Sequence, residues 1–319
     1  MSRRICVLSV VAASLLVSLA GCGGRANLTL NFVPNDVVTY KVSTQTIKDF
    51  RFEQPSLNPP KLSEQQSGTT IDVVFDQRIE KVDPDGSAVA NVTIKDIIYI
   101  VKDKDDVRFD FDSQRASDKD QPFAKVVGQS YKIKISPDGK VQTVDAAAAR
   151  NAVTAGFQGQ IAKAFFSDER IADRHEIMAL PDPGASDLKV KGSWNRVVPS
   201  PPGLLTPKSY QKVYTLTRVD GPKSNRIATV NMVAAESAKA ADNAPEGIKG
   251  MGIFANMFDT KEAYTGKLVL ETGTGKVLDY YEKLEAKYLA AEEPAGGSSD
   301  KGPDTLTMGF TYAVTVKAL

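Results

Sequence analysis

The sequence is poor in the residues that build most catalytic and metal sites. One histidine and two cysteines occur among 319 residues. That leaves little material for a metal cluster, a disulfide framework or a histidine-based catalytic device. Neither a GxSxG nor a CxxC motif is present. The sequence therefore predicts no catalytic residue, no metal site and no cofactor, and a protein that is not an enzyme.

An excess of charge of one sign is also missing. Lys and Arg number 40 against 39 Asp and Glu, which gives a net charge of +1. So small an excess argues against nucleic acid as a partner. Hydrophobic residues make up 42% and charged residues 25%, as in globular proteins, and the length fits one large or two modest domains.

The N-terminal apolar run is too short to span a bilayer. It covers residues 5–20, whereas a membrane-spanning helix needs roughly 20 residues. Arg3 and Arg4 precede the run, and Gly21 and Cys22 follow it. A basic start, an apolar stretch and a small-residue end are typical of a secretory signal peptide, here predicted over residues 1–21.

The residues Leu19-Ala20-Gly21-Cys22 resemble the lipobox of bacterial lipoproteins. The resemblance implies cleavage between Gly21 and Cys22, followed by lipidation of Cys22, which would anchor the chain stably through two or three acyl chains. Residues 22–36 would then form the lipid anchor and a tether. The alternative is an uncleaved anchor helix with an incidental cysteine. We expect a cell-envelope protein, on the outer membrane facing the periplasm if the cell is Gram-negative, because no Asp follows Cys22.

Most of the remaining chain alternates apolar and polar residues with a period of two. The pattern covers residues 71–80, 131–135 and 306–316, and it predicts half-buried antiparallel strands. Turn signals at 83–86 and 136–139, both containing Pro-Asp-Gly, separate some of these strands. Pro-rich residues 199–207 predict one of several long loops.

One block in the middle of the chain changes to a helical period. Val153, Phe157, Ile161 and Phe165 recur at i, i+4 steps after Asp145, which can cap a helix. We expect these four side chains to form one face against the concave side of the sheet, either as core or as the cover of an apolar ligand site. A second, shorter helix is predicted to begin at residues 167–170 and to end near Met178.

These patterns predict an α+β, β-rich fold. A curved antiparallel sheet, or sheets, would carry a helical block over residues 146–178, within one domain at 37–319. Its two similar halves would be 37–145 and 193–319. SPDGKV at 136–141 resembles TGTGKV at 272–277, which indicates an approximate duplication of one β unit. The alternative is that hairpins with such turns resemble one another by chance.

Three features imitate functional motifs. His175 is predicted to lie on the surface near a helix C-terminus. The acidic run at 103–112 is broken by basic residues and lacks the spacing of a calcium loop, so a solvated hairpin end is predicted. Residues 273–276 (GTGK) lack the full phosphate-loop pattern and are predicted to form a turn.

Trp194 is predicted to begin a strand, with its ring in the core or covering the helix.

A family resemblance rests on the order of short motifs. These are FDFDS at 109–113, the strand and turn at 131–141, the helical block, Leu180-Pro181 and Gly192-Ser193-Trp194. Together they resemble the bacterial lipoprotein family called domain of unknown function 6263, over residues from about 37 to the C-terminus. The resemblance implies a location and a shape, and it supplies no catalytic residues.

Three functions remain open on sequence alone. The first is a lipid-anchored envelope protein whose curved sheet binds an apolar ligand such as a lipid, or a protein partner of the envelope. The second is a structural or assembly protein with a filled core. The third is a hydrolase that uses scattered carboxylates. A cavity lined by Phe, Ile, Leu and Tyr from both halves would favour the first.

Overall fold

The structure is a computed structural model that describes residues 24–222, 225–241, 257–292 and 302–319. The predicted signal peptide, Gly21 and Cys22 lie outside these residues. Strands make up 57% and helices 11% of the described residues, which confirms the β-rich α+β class.

The first half of the chain contributes seven of the described strands. They are β1 (Arg25–Asn27), β2 (Val37–Gln54), β3 (Lys61–Val82), β4 (Ala88–Asp103), β5 (Asp106–Asp112), β6 (Ser130–Ile135) and β7 (Val141–Asp145). Two short 3₁₀ helices, Ala116–Asp118 and Pro122–Val126, lie between β5 and β6.

Three α-helices and the second set of strands follow. The helices are α1 (Ala147–Arg150), α2 (Gly156–Phe165) and α3 (Asp168–His175). The strands are β8 (Asp187–Lys189), β9 (Ser193–Pro199), β10 (Ser209–Asp220), β11 (Ile227–Glu236), β12 (Asp259–Glu271), β13 (Lys276–Glu292) and β14 (Asp304–Ala318).

Twelve strands form one curved, unclosed antiparallel sheet. Its order is β7-β6-β4-β3-β2-β14-β13-β12-β11-β10-β9, and β5 adds to β4 off this path. Each half of the chain is an antiparallel meander, and the halves join where β14 pairs with β2, from Thr305 opposite Glu53 to Ala318 opposite Tyr40. The turns at 83–86 and 136–139 connect β3 to β4 and β6 to β7, as predicted. The duplication itself stays a prediction.

The helical block crosses from one edge strand, β7, toward the other, β9, over the inner face of the sheet. Asp145, predicted to cap the helix, accepts a hydrogen bond from the Ala147 amide at 2.9 Å, but the N-cap position of α1 is Ala146, which makes no side-chain capping bond. Ser167 caps α3 by accepting from the Arg170 amide at 3.3 Å, at the predicted start of the second helix. The first predicted helix, however, is broken between α1 and α2, where Gly156 has a φ of +70°.

The burial of these side chains corrects one predicted site residue. Val153, Ile161 and Phe165 are buried at 2%, 9% and 2% exposure, but Phe157 is 54% exposed. Val153 lies before α2 begins, so the break removes it from the helical row that Phe157, Ile161 and Phe165 form. Phe157 lies in the first turn of α2, at the end of that row, where its side chain is outside the buried part of the helix face. Its ring lies at the surface, edge-on to the Phe109 ring at 6.2 Å, so its prediction as a core residue is wrong.

The segment predicted as a tether is part of the folded body from residue 25 onward. Strand β1 pairs with β8, and Leu28 and Leu30 are buried at 0% and 7% exposure. The turn at 272–275 packs on this segment, since a Cβ added at Gly275 would lie 2.0 Å from the Asn31 nitrogen. A tether can therefore include only residues before Arg25. The alternation of Ala26, Leu28 and Leu30 was the signal for burial.

The turn at 136–139 holds the end of the helical block. Gly139 has a φ of +82°, and its carbonyl accepts from the Ile177 amide at 3.1 Å. A Cβ at this position would meet the Ile177 oxygen at 2.7 Å, so the turn requires glycine for conformation and for space. Among the described helices, none is both long and apolar enough to cross a bilayer.

Candidate functional site

A cavity of about 800 Å³ lies between the inner face of the sheet and the elements that cover it. We call it the main cavity. Its walls come from β2, β3, β4 and β14, from α2 and α3, and from residues 199–207. The volume lies within the range of about 300–1,000 Å³ that is typical of small-molecule sites. Both halves of the chain contribute, because the cavity lies over the β2–β14 seam that joins them.

The floor of the main cavity is apolar at its deep end and carries hydroxyl groups toward solvent. On β2, Val42 is buried at 2% exposure, and the half-buried Thr44 and Thr46 follow it on the same face. Alternate residues of a strand share one face, so this order is a direct result of the sequence VSTQT. Val73 of β3 lies opposite Val42, and Val314 of β14 lies opposite Thr44, so both extend the apolar surface onto the neighbouring strands.

Aromatic side chains close two sides of the main cavity. Tyr99 approaches Phe165 with ring centroids 6.4 Å apart, and Tyr312 lies on the β14 side. Burial raises the pKa of the Tyr312 hydroxyl, with a smaller contribution from the charge of Glu282. Both phenols are therefore neutral at physiological pH and present an amphipathic surface.

Helix α3 covers the main cavity with a charged rim and a buried interior. Glu169, Arg170 and Asp173 line the cavity and are exposed, which places them at the rim. Arg170 pairs with Asp173 at 3.5 Å. Desolvation at the rim raises the pKa of the Asp173 carboxyl, and the nearby Arg170 opposes this shift.

The second cover is the Pro-rich segment 199–207. It is held at its base by the Ser200 amide, which donates to the Lys208 carbonyl at 2.8 Å, and by Leu204, which is buried at 5% exposure. Prolines lack an amide hydrogen and restrict the backbone. This segment therefore covers the cavity without needing a partner strand.

Arg174 brings a positive charge into the interior beneath α3. Its side chain is 8% exposed, and it donates to the Tyr131 hydroxyl at 3.0 Å and to the Phe165 carbonyl at 2.8 Å. The guanidinium also lies 3.9 Å from the centre of the Phe165 ring. Both hydrogen-bond partners are neutral, and the interaction with the Phe165 ring adds cation–π stabilisation.

His175 lies next to Arg174 and is buried, which corrects its prediction as a surface residue. It is 8% exposed, and its Nε2 is 2.7 Å from the Tyr131 hydroxyl. Burial, and secondly the charge of Arg174, lower the pKa of His175 well below its ordinary value. The ring is therefore neutral, so Tyr131 accepts from Arg174 and can donate to His175.

A second cavity of about 300 Å³ lies on the other side of Arg174. Its walls include Phe75 and Ile79 of β3, Val316 of β14, and the N-terminal segment at Leu30 and Phe32. Arg174 lines both cavities. The guanidinium thus lies between two hollows on the inner face.

The inner face of the second half carries a different polar group. Glu282 of β13 accepts from Lys212 at 2.5 Å, from Tyr264 at 3.1 Å and from Tyr280 at 2.5 Å. Lys212 and Glu282 are 2% and 5% exposed. Burial, followed by the charge of Glu282, raises the pKa of Tyr264 and Tyr280. This network satisfies its own charges and leaves no cation for a ligand.

The other motif-like features lie where the sequence predicted them. The acidic run forms the β4–β5 hairpin, where Arg108 pairs with Asp103 at 3.3 Å. Residues 273–276 lie in the β12–β13 connection and the start of β13. Trp194 lies near the start of β9, half-buried, with its ring stacked 5.6 Å from that of Tyr214. The described residues contain no group of three or more His, Cys, Asp or Glu that could hold a metal ion.

Sequence reasoning missed Arg174, Tyr131 and the strand residues of the cavity floor. A signal for Arg174 was present, because Ile171, Arg174 and His175 follow an i, i+3, i+4 spacing on α3 and are all buried. A charged residue on a buried stripe indicates a polar site. The lining side chains include Phe165, Ile71, Leu204 and Tyr312, from both halves and the helical block.

Comparisons with known proteins supply no family. No protein-family model matches the chain, and no curated protein matches it, so the resemblance to domain of unknown function 6263 stays a prediction. Among solved structures, the chain is similar to one of lipovitellin that concerns lipid–protein interactions, with a TM-score of 0.42 and 9% identity. The match covers 91% of this chain and 25% of that one, so the chain spans about a quarter of its length.

Proposed function

We propose that the protein is a lipid-anchored protein of the bacterial cell envelope that holds an apolar ligand in the main cavity. The observation that carries the proposal is the cavity of about 800 Å³ between the sheet and its covers. A purely structural protein would gain from filling this space, because packed side chains stabilise a fold more than a hollow does.

The chemistry of the walls supports an amphipathic ligand. Val42, Val73 and Val314 offer an apolar surface at the deep end, and threonines and tyrosines offer hydroxyl groups closer to the rim. An acyl chain matches such a surface, because its transfer from water is favourable by about 0.8 kcal/mol per buried methylene.

The ligand proposal is tested by filling the cavity. The full chain is purified from membranes, and non-covalent lipids are extracted and quantified by mass spectrometry. Thr44→Trp places a large ring in the main cavity, and we expect it to displace most of the extracted lipid. Ser43→Trp is the matched control, because Ser43 precedes Thr44 on β2 and faces away from the cavity.

Two results would contradict the ligand proposal. One is a wild-type protein that yields no more lipid than an unrelated membrane protein purified in parallel. The other is equal lipid retention by Thr44→Trp and Ser43→Trp, which would locate the lipid elsewhere. The first result would favour the structural or assembly function instead, and the second would exclude the main cavity as the lipid site.

The anchor is proposed on the sequence Leu19-Ala20-Gly21-Cys22. We expect Cys22→Ser to abolish incorporation of an alkyne-labelled palmitate, because the thiol is the acceptor of the lipid. The measurement is in-gel fluorescence after click labelling of cells that express the full chain. Label retained by the variant at the wild-type level would contradict the anchor and leave the ligand proposal untouched.

A further inference from the structure

We propose that the ligand of the main cavity carries an oxyanion head group, a carboxylate or a phosphate, and that Arg174 binds this head group. The inference rests on the proposed function and specifies the chemical class of the ligand. It depends on one buried cation that lines both cavities and whose hydrogen-bond partners among the described residues are Tyr131 and Phe165.

Arg174 makes no hydrogen bond to a carboxylate within the described part of the chain, and the Asp173 carboxyl, whose pKa is raised by burial against the opposing charge of Arg174, lies at the exposed rim. The two hydrogen-bond acceptors of Arg174, a phenol and a carbonyl, are neutral, and no ion pair with a described carboxylate is formed. Removing an ionised group from water is costly unless an opposite charge compensates it. An anionic head group would supply that charge.

The neighbouring charges do not fulfil this role. Arg170 already has a counter-charge in Asp173, at 3.5 Å, and both residues lie at the exposed rim with Glu169. Lys212, the other buried cation of the inner face, is paired with Glu282 at 2.5 Å. Arg174 is therefore the cation at the main cavity that remains available to a ligand.

The geometry of Arg174 fits an oxyanion. A guanidinium has five N–H donors in a planar fork that matches the oxygens of a carboxylate or a phosphate. The contacts to Tyr131 and Phe165 use two of them and fix the orientation of the fork. Tyr131 is a positioning residue, since its hydroxyl is held in turn by His175 at 2.7 Å.

The test compares probes that share a chain and differ in the head group. The full chain is reconstituted in phosphatidylcholine nanodiscs and exposed to a diazirine-bearing palmitic acid, its methyl ester, or a lysophosphatidic acid with the same chain. Cross-linked peptides are identified by mass spectrometry. We expect an anionic probe to label peptides that contain Thr44 or Ile71 about tenfold more than the ester does.

Variants then assign the preference to one residue. Arg174→Leu should remove the preference for the anionic probe, a loss of about tenfold in labelling, while labelling by the ester is unchanged. Lys163→Gln is the control and should keep the preference, because Lys163 is exposed on α2 and does not line the main cavity. Arg174→Lys retains the charge and should restore most of the preference if Arg174→Leu does not fold.

The outcomes separate this inference from the function on which it rests. If none of the three probes labels the cavity, the proposed function is overturned. If the ester labels the wild type as well as the acids do, or if Arg174→Leu keeps the anion preference, the cavity binds apolar chains and the assignment of Arg174 is wrong. Preference for one anionic probe identifies the head group as carboxylate or phosphate.

Discussion

The two halves of the chain fill the inner face of the sheet in different ways. In the first half, aromatic rings pack against one another and against the helical block, for example Phe123 on Phe109 and Phe111 at 5.2 and 5.1 Å. In the second half, tyrosines surround the buried pair of Lys212 and Glu282. The inner face is therefore packed by apolar rings in the first half and carries a buried polar network in the second half.

The difference explains where the main cavity lies. The helical block covers the first half, where the residues of the inner face are apolar and need burial. The polar network of the second half links Lys212 of β10 to Glu282 of β13 across the two strands between them. Neither arrangement extends to the β2–β14 seam. The inner face there and on the neighbouring β3 carries the small side chains of Thr44, Thr46 and Thr69. The cavity is the space left between two modes of packing.

The largest expected effect concerns the polar half. Glu282→Gln leaves Lys212 buried without a counter-charge, and we expect it to lower the free energy of unfolding by about 3–5 kcal/mol. The double variant Lys212→Met with Glu282→Gln removes both charges, and the amide oxygen still accepts from the tyrosines, so it should recover at least half of the loss. Chemical denaturation measures both. A double variant as unstable as the single one would contradict the network.

The second prediction concerns the apolar half. Phe123 is 0% exposed and lies beneath the helical block, so Phe123→Ala should cost about 3–5 kcal/mol of the free energy of unfolding as a core cavity. Phe157→Ala is the matched control. Its ring is 54% exposed, so its loss should cost about 1 kcal/mol. Equal costs in denaturant melts would show that the block packs with Phe157 inward, as the sequence predicts.

The smallest expected effect is the pH dependence of the apolar half. The pKa of His175 lies well below its ordinary value, so below pH of about 6.5 the unfolded chain binds a proton that the native ring does not. Stability should fall by up to about 1.4 kcal/mol per pH unit below that point and stay level above it.

The matched variant for this pH dependence is His175→Gln, which keeps an acceptor for Tyr131 and removes the titration. The free energy of unfolding of both proteins is measured between pH 5 and 7. His175 is the sole histidine of the sequence, so the difference between the two curves reports on this side chain, separately from Asp173 and Glu176, whose pKa values burial raises. Parallel curves for wild type and variant would contradict the buried, neutral histidine.

The sequence predicted the parts of this fold that depend on local patterns. Alternation predicted the strands, Ser167 predicted the start of α3, and the Pro-Asp-Gly turns predicted two hairpins. The pairing of β14 with β2 was not predictable, because it joins residues more than 200 positions apart and has no local signal. The exposure of Phe157 was missed because an i, i+4 row shows which side chains share a helix face, but not where along the helix the buried contact ends.

The candidate site was less predictable than the fold. A cavity forms where side chains from different elements do not contact one another. The walls of the main cavity include Val42, Phe165 and Leu204, which come from three separate regions of the chain. No periodicity reports how far a helix lies from a sheet. Among these site residues, Arg174 alone had a local sequence signal, because it is a charged residue on a helical stripe with the spacing of buried residues.

The central claim is that the main cavity holds one ligand in the native protein. Native mass spectrometry of the full chain, released from detergent micelles after extraction from membranes, tests it most directly. The account predicts a population heavier than the covalent mass by one lipid, which is lost on collisional activation and is absent from Thr44→Trp. A spectrum that shows only the covalent mass for the wild type, or the same adduct on Thr44→Trp, would contradict it.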